Sequence, residues 1–447
     1  MNSCHLRLLV ALTAAWAGVL PLTAAAVDIV GAQRTGLPDA FPAKPHHDAT
    51  SQLTLRQALA LALERNPELA AFSTEIRANE AAMLQAGALP NPVLEAAGDN
   101  LGNTRLREGG DRTATLQIGQ LIELGGKRAA RIRLAESTRD LANWDYEAKR
   151  IDVLSRVTLY FIDVLAGQEQ VQLAEATLRL AQDVADTVGK RVRAGRVSPV
   201  EETRAQVART TAQIERDQAR RQLAAARSRL TGMWNDPAPR FGELTGNLEV
   251  LPVLPAYENL AVRLRSNPDL ARWTTEITRR QAALAGERAK AVPDITVSAG
   301  VRRFSEFSDN AYIVGVAIPL PIFNQNRGGI LEASRRLDKA ADERRAAELR
   351  AGTELSQVFQ RASSIREEIE ALRISVLPGA RSAFESTTRG YELGRFAFLD
   401  VLDAQRVYFQ ARAQYRRALA DYHRAVGDIE RLIGAPLDEH ARSVNTK

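Results

Sequence analysis

Residues 113–121 read TATLQIGQL and residues 295–302 read ITVSAGVR. In the first, Ala114, Leu116 and Ile118 alternate with Thr113, Thr115 and Gln117; in the second, Ile295, Val297, Ala299 and Val301 alternate with Thr296, Ser298, Gly300 and Arg302. Tyr312, Val314, Val316 and Ile318 repeat the pattern further on. A side-chain period of two puts every second residue on one face, so each stretch predicts a strand with one apolar side. Segments rich in Gly, Asn and Asp, near 98–111 and 305–310, divide the strands into two hairpins. Strands are expected near 92–103, 112–123, 293–304 and 310–321, a length that suits a tilted strand crossing a bilayer. Four strands cannot close a barrel. An open edge in lipid leaves backbone groups unpaired, so several chains must pool their strands.

On either side of these hairpins the chain reads as helix, twice over. NPELAA at 66–71 returns as NPDLAR at 267–272, and Gly195-Arg196 returns as Gly394-Arg395. Ala205, Ala212, Ala219 and Ala226, in heptad spacing, match Ala404, Ala411, Ala418 and Ala425. The chain is therefore a duplicated unit of about 200 residues. Residues 127–194 contain only Gly167 and Gly189 as breakers, and 330–377 only Gly352. A helix of about 65 residues would run about 100 Å, a rod that a compact domain does not need. Turns at Gly195–Pro199 and Gly394–Phe398 send the chain back along a second helix. On the first return helix the alanine stripe and a second stripe, Val200, Val207 and Ile214, lie on nearly opposite sides. Neighbours are expected on both, as in a ring of helices or a multi-helix bundle.

Composition removes other classes. Of five histidines and one cysteine, Cys4 lies ahead of an apolar run, Leu8–Leu22, that follows Arg7 and ends in Ala24-Ala25-Ala26. That pattern predicts a secretory signal over 1–26, and a cysteine so placed is not a lipid-attachment site. A disulfide framework and a cysteine nucleophile are excluded from the exported chain. The net charge is +6, but only seven of 60 basic residues are lysines and the arginines interleave with carboxylates, the signature of solvated helix faces rather than nucleic-acid binding. His46 and His47 are adjacent and so point apart; His423 and His440 stand alone and read as ordinary surface residues, giving no metal cluster. No hydrolase elbow, zinc-protease motif, P-loop or dinucleotide fingerprint occurs, so no enzyme and no cofactor is expected.

The residues resemble the TolC family of outer-membrane efflux channels over nearly the whole exported chain. The resemblance is carried by the duplicated Asn-Pro-x-Leu (66–69, 267–270), by ELGGKR at 123–128, by IPLPIF at 318–323, and by Tyr391, Gly394 and DVLDAQ at 400–405. It implies a homotrimer with a shared 12-stranded transmembrane β-barrel above a trimeric α-barrel of long helical hairpins. It also implies a periplasmic adaptor (membrane fusion) protein and an inner-membrane RND-type pump as partners, in the outer membrane of a Gram-negative bacterium. The LGGKR and PIFNQNR flavour is most similar to the heavy-metal, Czc-type branch, which implies divalent cations as cargo; drug efflux and type I secretion share the architecture. An exported soluble coiled-coil scaffold is the competing reading outside transport.

The expected organisation is a signal peptide (1–26), an extended arm (27–50), a first repeat (51–234), a linker (235–258) that by the resemblance runs outside the tube at mid-height, a second repeat (259–436) and a flexible tail (437–447). Gly125, Gly126, Pro319 and Pro321 are expected to turn strand into helix. The hairpin tips, Gly195, Arg196, Gly394 and Arg395, are expected to meet adaptor or pump. Asp400 and Asp403, three apart, can share a helix face, so three chains would ring the periplasmic mouth with six carboxylates that focus negative potential. Alternatively both cap or solvate the helix start. In the family an arginine in this turn pairs with an acidic residue of the other hairpin. Here Glu202 supplies the acid, but Phe396 stands in the arginine's place and Arg395 comes one residue early. Apolar contacts of Phe396 and Phe398 are expected to hold the mouth instead.

Overall fold

The computed structural model describes residues 52–99, 112–238, 241–304 and 309–437. The expected signal peptide, the expected arm with His46 and His47, and the expected tail beyond Leu437, with His440, lie outside the described residues. The first repeat runs α1 (Leu55–Arg65), α2 (Pro67–Gly87), β1 (Val93–Asp99), β2 (Thr113–Ile122), α3 (Lys127–Arg193) and α4 (Pro199–Gly232). The second runs α5 (Tyr257–Leu264), α6 (Pro268–Lys290), β3 (Ile295–Phe304), β4 (Asp309–Ala317), α7 (Arg327–Ala371), a π-helical turn (Leu372–Val376), α8 (Leu377–Glu392) and α9 (Phe398–Ile433). The duplication is thus one of element order as well as of sequence.

At 67 residues, α3 spans about 100 Å at 1.5 Å per residue. Its counterpart continues through Pro378, which has no N–H to donate and whose ring would strike the carbonyl four residues back in an unbroken α-helix. A π turn absorbs the conflict just before it, with Leu377 N–H donating to the Leu372 carbonyl.

The recurring Asn-Pro pairs open α2 and α6. Asn66 Oδ1 accepts from Leu69 N–H at 3.1 Å while its amide donates to the Met233 carbonyl at 2.8 Å. Asn267 accepts from Asp269 N–H at 2.6 Å and donates to the Leu432 carbonyl at 2.6 Å. One amide therefore caps the incoming helix and ties down the end of the return helix of the same repeat. Both asparagines are 4% exposed, and buried amides require such partners.

The largest core cluster sits where these ends converge, around Val157, Leu230, Leu260, Leu419, Tyr422 and Ile429. The 235–256 segment lies on it through Leu244 and Leu248, and Tyr422 Oη donates to the Pro252 carbonyl at 2.7 Å. His423 Nε2 is 2.9 Å from the Leu248 oxygen, and burial pushes its pKa down. It is therefore no ordinary surface histidine, because the linker covers it. Leu437, expected in the tail, is likewise 5% exposed, its N–H held by Glu430 at 2.9 Å.

The four strands form one antiparallel sheet in the order β1-β2-β3-β4. Registry aligns Leu94, Ile118, Ala299 and Val314 in one cross-strand row, and Ala96, Leu116, Val301 and Tyr312 in the next. Of the expected strand ends, 100–103 lie outside the described residues. β4 stops at Ala317 because Pro319 and Pro321 cannot donate to a ladder.

Candidate functional site

Three zones along the chain carry features that a soluble helical bundle would not need. The first is the sheet. Its apolar face leaves Leu116, Ile118, Tyr312, Val314 and Val316 all at least half exposed, Tyr312 reaching 89%. The opposite face is polar: Gln117 donates to Glu95 at 2.7 Å, Thr113 to Asp99 at 3.1 Å, and Arg302 to Thr115 at 3.0 Å. Within the described chain β1 and β4 each pair on one side only. Exposed apolar area on one side and hydrogen-bonded polar groups on the other reverse the usual relation of sheet to solvent. Among the described residues no helix is long and apolar enough to cross a membrane.

The second zone is the collar beneath the sheet. Gly125 and Gly126 have φ of +69° and +75°, so both occupy the left-handed region that favours glycine. A Cβ on Gly125 would lie 2.7 Å from Val292 Cβ; one on Gly126 would meet nothing within 4 Å. Asp294 ties the two repeats together here, accepting Leu124 N–H at 2.9 Å and Lys127 Nζ at 2.6 Å. These donors outweigh the desolvation of its carboxyl and hold its pKa below the ordinary aspartate value. Arg131 pairs with Glu123, and Asn326, itself at φ +54°, donates to the Glu287 carbonyl at 2.8 Å. Pro319 and Pro321 lie in the segment joining β4 to α7.

The third zone is the pair of hairpin tips. At Gly195 (φ +67°), Arg196 N–H donates to the Arg191 carbonyl at 2.9 Å; at Gly394 (φ +73°), Arg395 N–H donates to the Gly390 carbonyl at 2.8 Å. The two tips share one helix-ending motif. Between hairpins, Phe398 is 3% exposed and packs with Ala185, Val188 and Ala205, its ring 5.6 Å from that of Tyr391. The Arg191 guanidinium lies 4.7 Å from the Tyr391 ring centroid, a cation–π contact joining α3 to α8. Phe396 behaves differently from expectation. It is 51% exposed and folds over Gly390 of its own hairpin, where any Cβ would collide with its ring. Tyr391 had no assigned role in the sequence; it lies in the last turn of α8, and the turn at Gly394 brings Phe398, the first residue of α9, back against it.

Asp400 and Asp403 are exposed, one turn apart in α9. Asp400 Oδ2 accepts the Ala397 N–H at 2.9 Å, and Asp403 pairs with Arg406 at 2.5 Å. Glu202 lies against Gly189 of its own hairpin. Among the described residues neither Glu202 nor Arg395 takes part in an ion pair, and no group of three His, Cys, Asp or Glu side chains could hold a metal ion.

Long helical hairpins mounted on an edge-open sheet with an outward apolar face define a class of oligomeric envelope channel. The model of the outer membrane efflux protein family matches residues 58–236 and 261–435, and the chain belongs to that family. It is 40% identical over 378 residues to the cobalt-zinc-cadmium resistance protein CzcC of Cupriavidus metallidurans, covering 85% of this chain and 88% of the relative. It is 26% identical to the nickel-cobalt-cadmium resistance protein NccC of Alcaligenes xylosoxydans xylosoxydans, over 68% of this chain and 67% of the relative. The crystal structure of CusC, described in terms of transmembrane channel formation, superposes with a TM-score of 0.73 at 18% identity, covering 85% of this chain and 92% of that one. The fold and the family are those of an outer-membrane efflux channel, which is no enzyme.

Proposed function

We propose that this chain forms the outer-membrane exit duct of a tripartite efflux system, and that its cargo is divalent heavy-metal cations. The observation that carries the reading is the open four-stranded sheet, apolar on its outer face, above helical hairpins whose longer arm, α3, spans about 100 Å. Three such sheets joined β1 to β4 would give 12 strands with no free edge, the condition for a stable sheet in lipid. Val200, Val207 and Ile214 of α4, exposed by 57%, 61% and 51%, supply an apolar stripe for the neighbouring protomer. The identity to CzcC supports the cargo, and supports a periplasmic adaptor and an RND-type pump as partners. Residues 1–26 direct export, and no lipid is attached.

The duct closes at the tips. Six carboxylates, Asp400 and Asp403 from three chains, ring the mouth; Phe398 and Tyr391 hold each chain's hairpins together, and Phe396 fills the turn where the family uses arginine. Gly195, Arg196, Gly394 and Arg395 face the partners. Deletion of the gene in a metal-resistant host should abolish cobalt, zinc or cadmium resistance, restored by the intact chain. A purified chain that stays monomeric in mild detergent, or unchanged metal tolerance after deletion, would overturn the proposal.

A further inference from the structure

The turns at the two tips are far more basic than the helices that lead to them. Lys190, Arg191, Arg193 and Arg196 stand at the first, Arg389 and Arg395 at the second, against a single carboxylate, Glu392. Along the rest of α3, α7 and α9 many arginines are balanced by a carboxylate three or four residues away, as in Arg156–Asp152, Arg344–Glu348 and Arg424–Asp421. At the tips that balance fails. Lys190, Arg193, Arg196, Arg389 and Arg395 are all exposed, and among the described residues none of them forms an ion pair. Arg191 alone is engaged, on the face of Tyr391.

Of the nearest carboxylates, Asp400 holds the Ala397 N–H and Asp403 holds Arg406. Glu201 and Glu202, half-buried in the first turn of α4, form no ion pair among the described residues and offset part of the charge of the first tip, leaving an excess of exposed cations. Each turn is moreover fixed by a glycine at positive φ and two closing hydrogen bonds, so its cations sit on a rigid frame rather than a floppy loop. Preorganised charge loses less on association than charge that must first be ordered. Uncompensated cations at the end of a protein steer and select an oppositely charged partner.

We propose that the tips form a cationic crown that docks a protein partner through an acidic surface at the end of its own helices. The inference rests on the efflux reading and adds the chemistry by which the partner is recognised. It also assigns the two charge layers separate tasks: the crown recognises the partner, and the carboxylates of Asp400 and Asp403, one turn inside, face the cargo. A free metal cation approaching the undocked mouth meets repulsion first. The partner's acidic end would neutralise that barrier as it seats.

The test uses the intact chain in detergent and, as probe, the full-length periplasmic adaptor of the host's heavy-metal efflux system, with binding followed by surface plasmon resonance. Affinity should fall at least fivefold between 50 and 300 mM NaCl, since exposed charges are screened over about 8 Å at physiological ionic strength. The triple variant Arg193→Glu, Arg196→Glu, Arg395→Glu should lose at least tenfold, and the milder Gln triple an intermediate amount. Lysine substitutions at the adaptor's acidic tip should restore binding to the Glu triple. Light scattering on each variant checks that assembly is unchanged. Binding insensitive to salt and to both triples overturns the crown but leaves the channel reading intact. So does a Glu triple that loses only sedimentation with peptidoglycan, because the crown would then serve a polyanion. An adaptor that fails to bind even the unaltered chain overturns both.

Discussion

Gly125→Ala isolates the cost of the swerve from strand to helix. Two contributions are separable, because Gly125 and Gly126 share a left-handed backbone but differ in surroundings. A non-glycine residue in that region costs about 1–2 kcal/mol. Gly126→Ala should show that alone, since nothing lies within 4 Å of the new Cβ. At Gly125 the new atom would stand 2.7 Å from Val292 Cβ, 2.9 Å from its Cγ2 and 3.0 Å from the Ala289 oxygen. Overpacking of this kind adds about 1–3 kcal/mol. The expected order of stability is unaltered chain, then Gly126→Ala, then Gly125→Ala, with the last two separated by about 1–3 kcal/mol. Adding Val292→Ala to Gly125→Ala removes the Cγ2 contact while the Cβ and Ala289 oxygen contacts remain, so it should recover only part of that gap, a coupling that a double-mutant cycle reads directly. Thermal dissociation of the detergent-solubilised protein, followed by the loss of its heat-modifiable gel band, supplies the ranking. Equal stability of the two alanine variants, or no coupling with Val292, would refute the claim that the collar is closed by this contact.

Further expectations follow from the same geometry. Arg156 at 2.8 Å and the neighbouring Lys149 hold the Glu68 carboxyl down at about 2 from the usual 4.5. A depressed folded-state pKa stabilises above the unfolded value and is lost as pH falls through the folded one. Glu68→Gln should therefore melt below the unaltered chain at pH 7, with the difference closing between about pH 4.5 and 2. With Glu68 41% exposed, that difference should stay below about 1 kcal/mol; acid-dependent melting curves decide it. Val207→Glu, placing charge in the exposed stripe of α4, should shift mass in mild detergent from trimer to monomer while leaving helicity by circular dichroism unchanged. Asp400→Asn with Asp403→Asn should weaken cation preference in single-channel recordings and keep the trimer, since asparagine can still accept the Ala397 N–H; unchanged selectivity would remove both residues from the gate.

Periodicity made the architecture readable before any coordinates. The alternation at 113–121 and 295–302, the breaker-poor runs and the alanine heptads depend only on which side of an element faces solvent, and such signals survive in one sequence. Ala205, Ala212, Ala219 and Ala226 are each at most 4% exposed. What escaped reading depends on contacts between distant segments. Nothing local marks Asn66 as a tether to Met233, 167 residues away, or His423 as covered by Leu248. Phe396 and Phe398 are chemically alike and two apart, so sequence assigned them one task. The turn geometry gives them two, because only Phe398 begins the helix that faces the other hairpin. The π turn was hidden for a similar reason: Pro378 reads as a stop, and only the bond from the Leu377 N–H to the Leu372 carbonyl shows that the helix continues past it.

The amide clasps of Asn66 and Asn267 bear on how such a chain arises. Each clasp joins the opening of a repeat's second helix to the close of its last, so the two ends of a repeat meet. A unit whose ends meet can be copied head to tail with nothing rebuilt except a connecting strap, here 235–256. Fusing two copies fixes one of every two lateral junctions covalently and leaves the other to assembly. Each copy can then diverge alone: one retains an unbroken rod, the other acquires a π turn. A ring that six identical subunits could have formed becomes one of three, with two kinds of seam available for separate tasks.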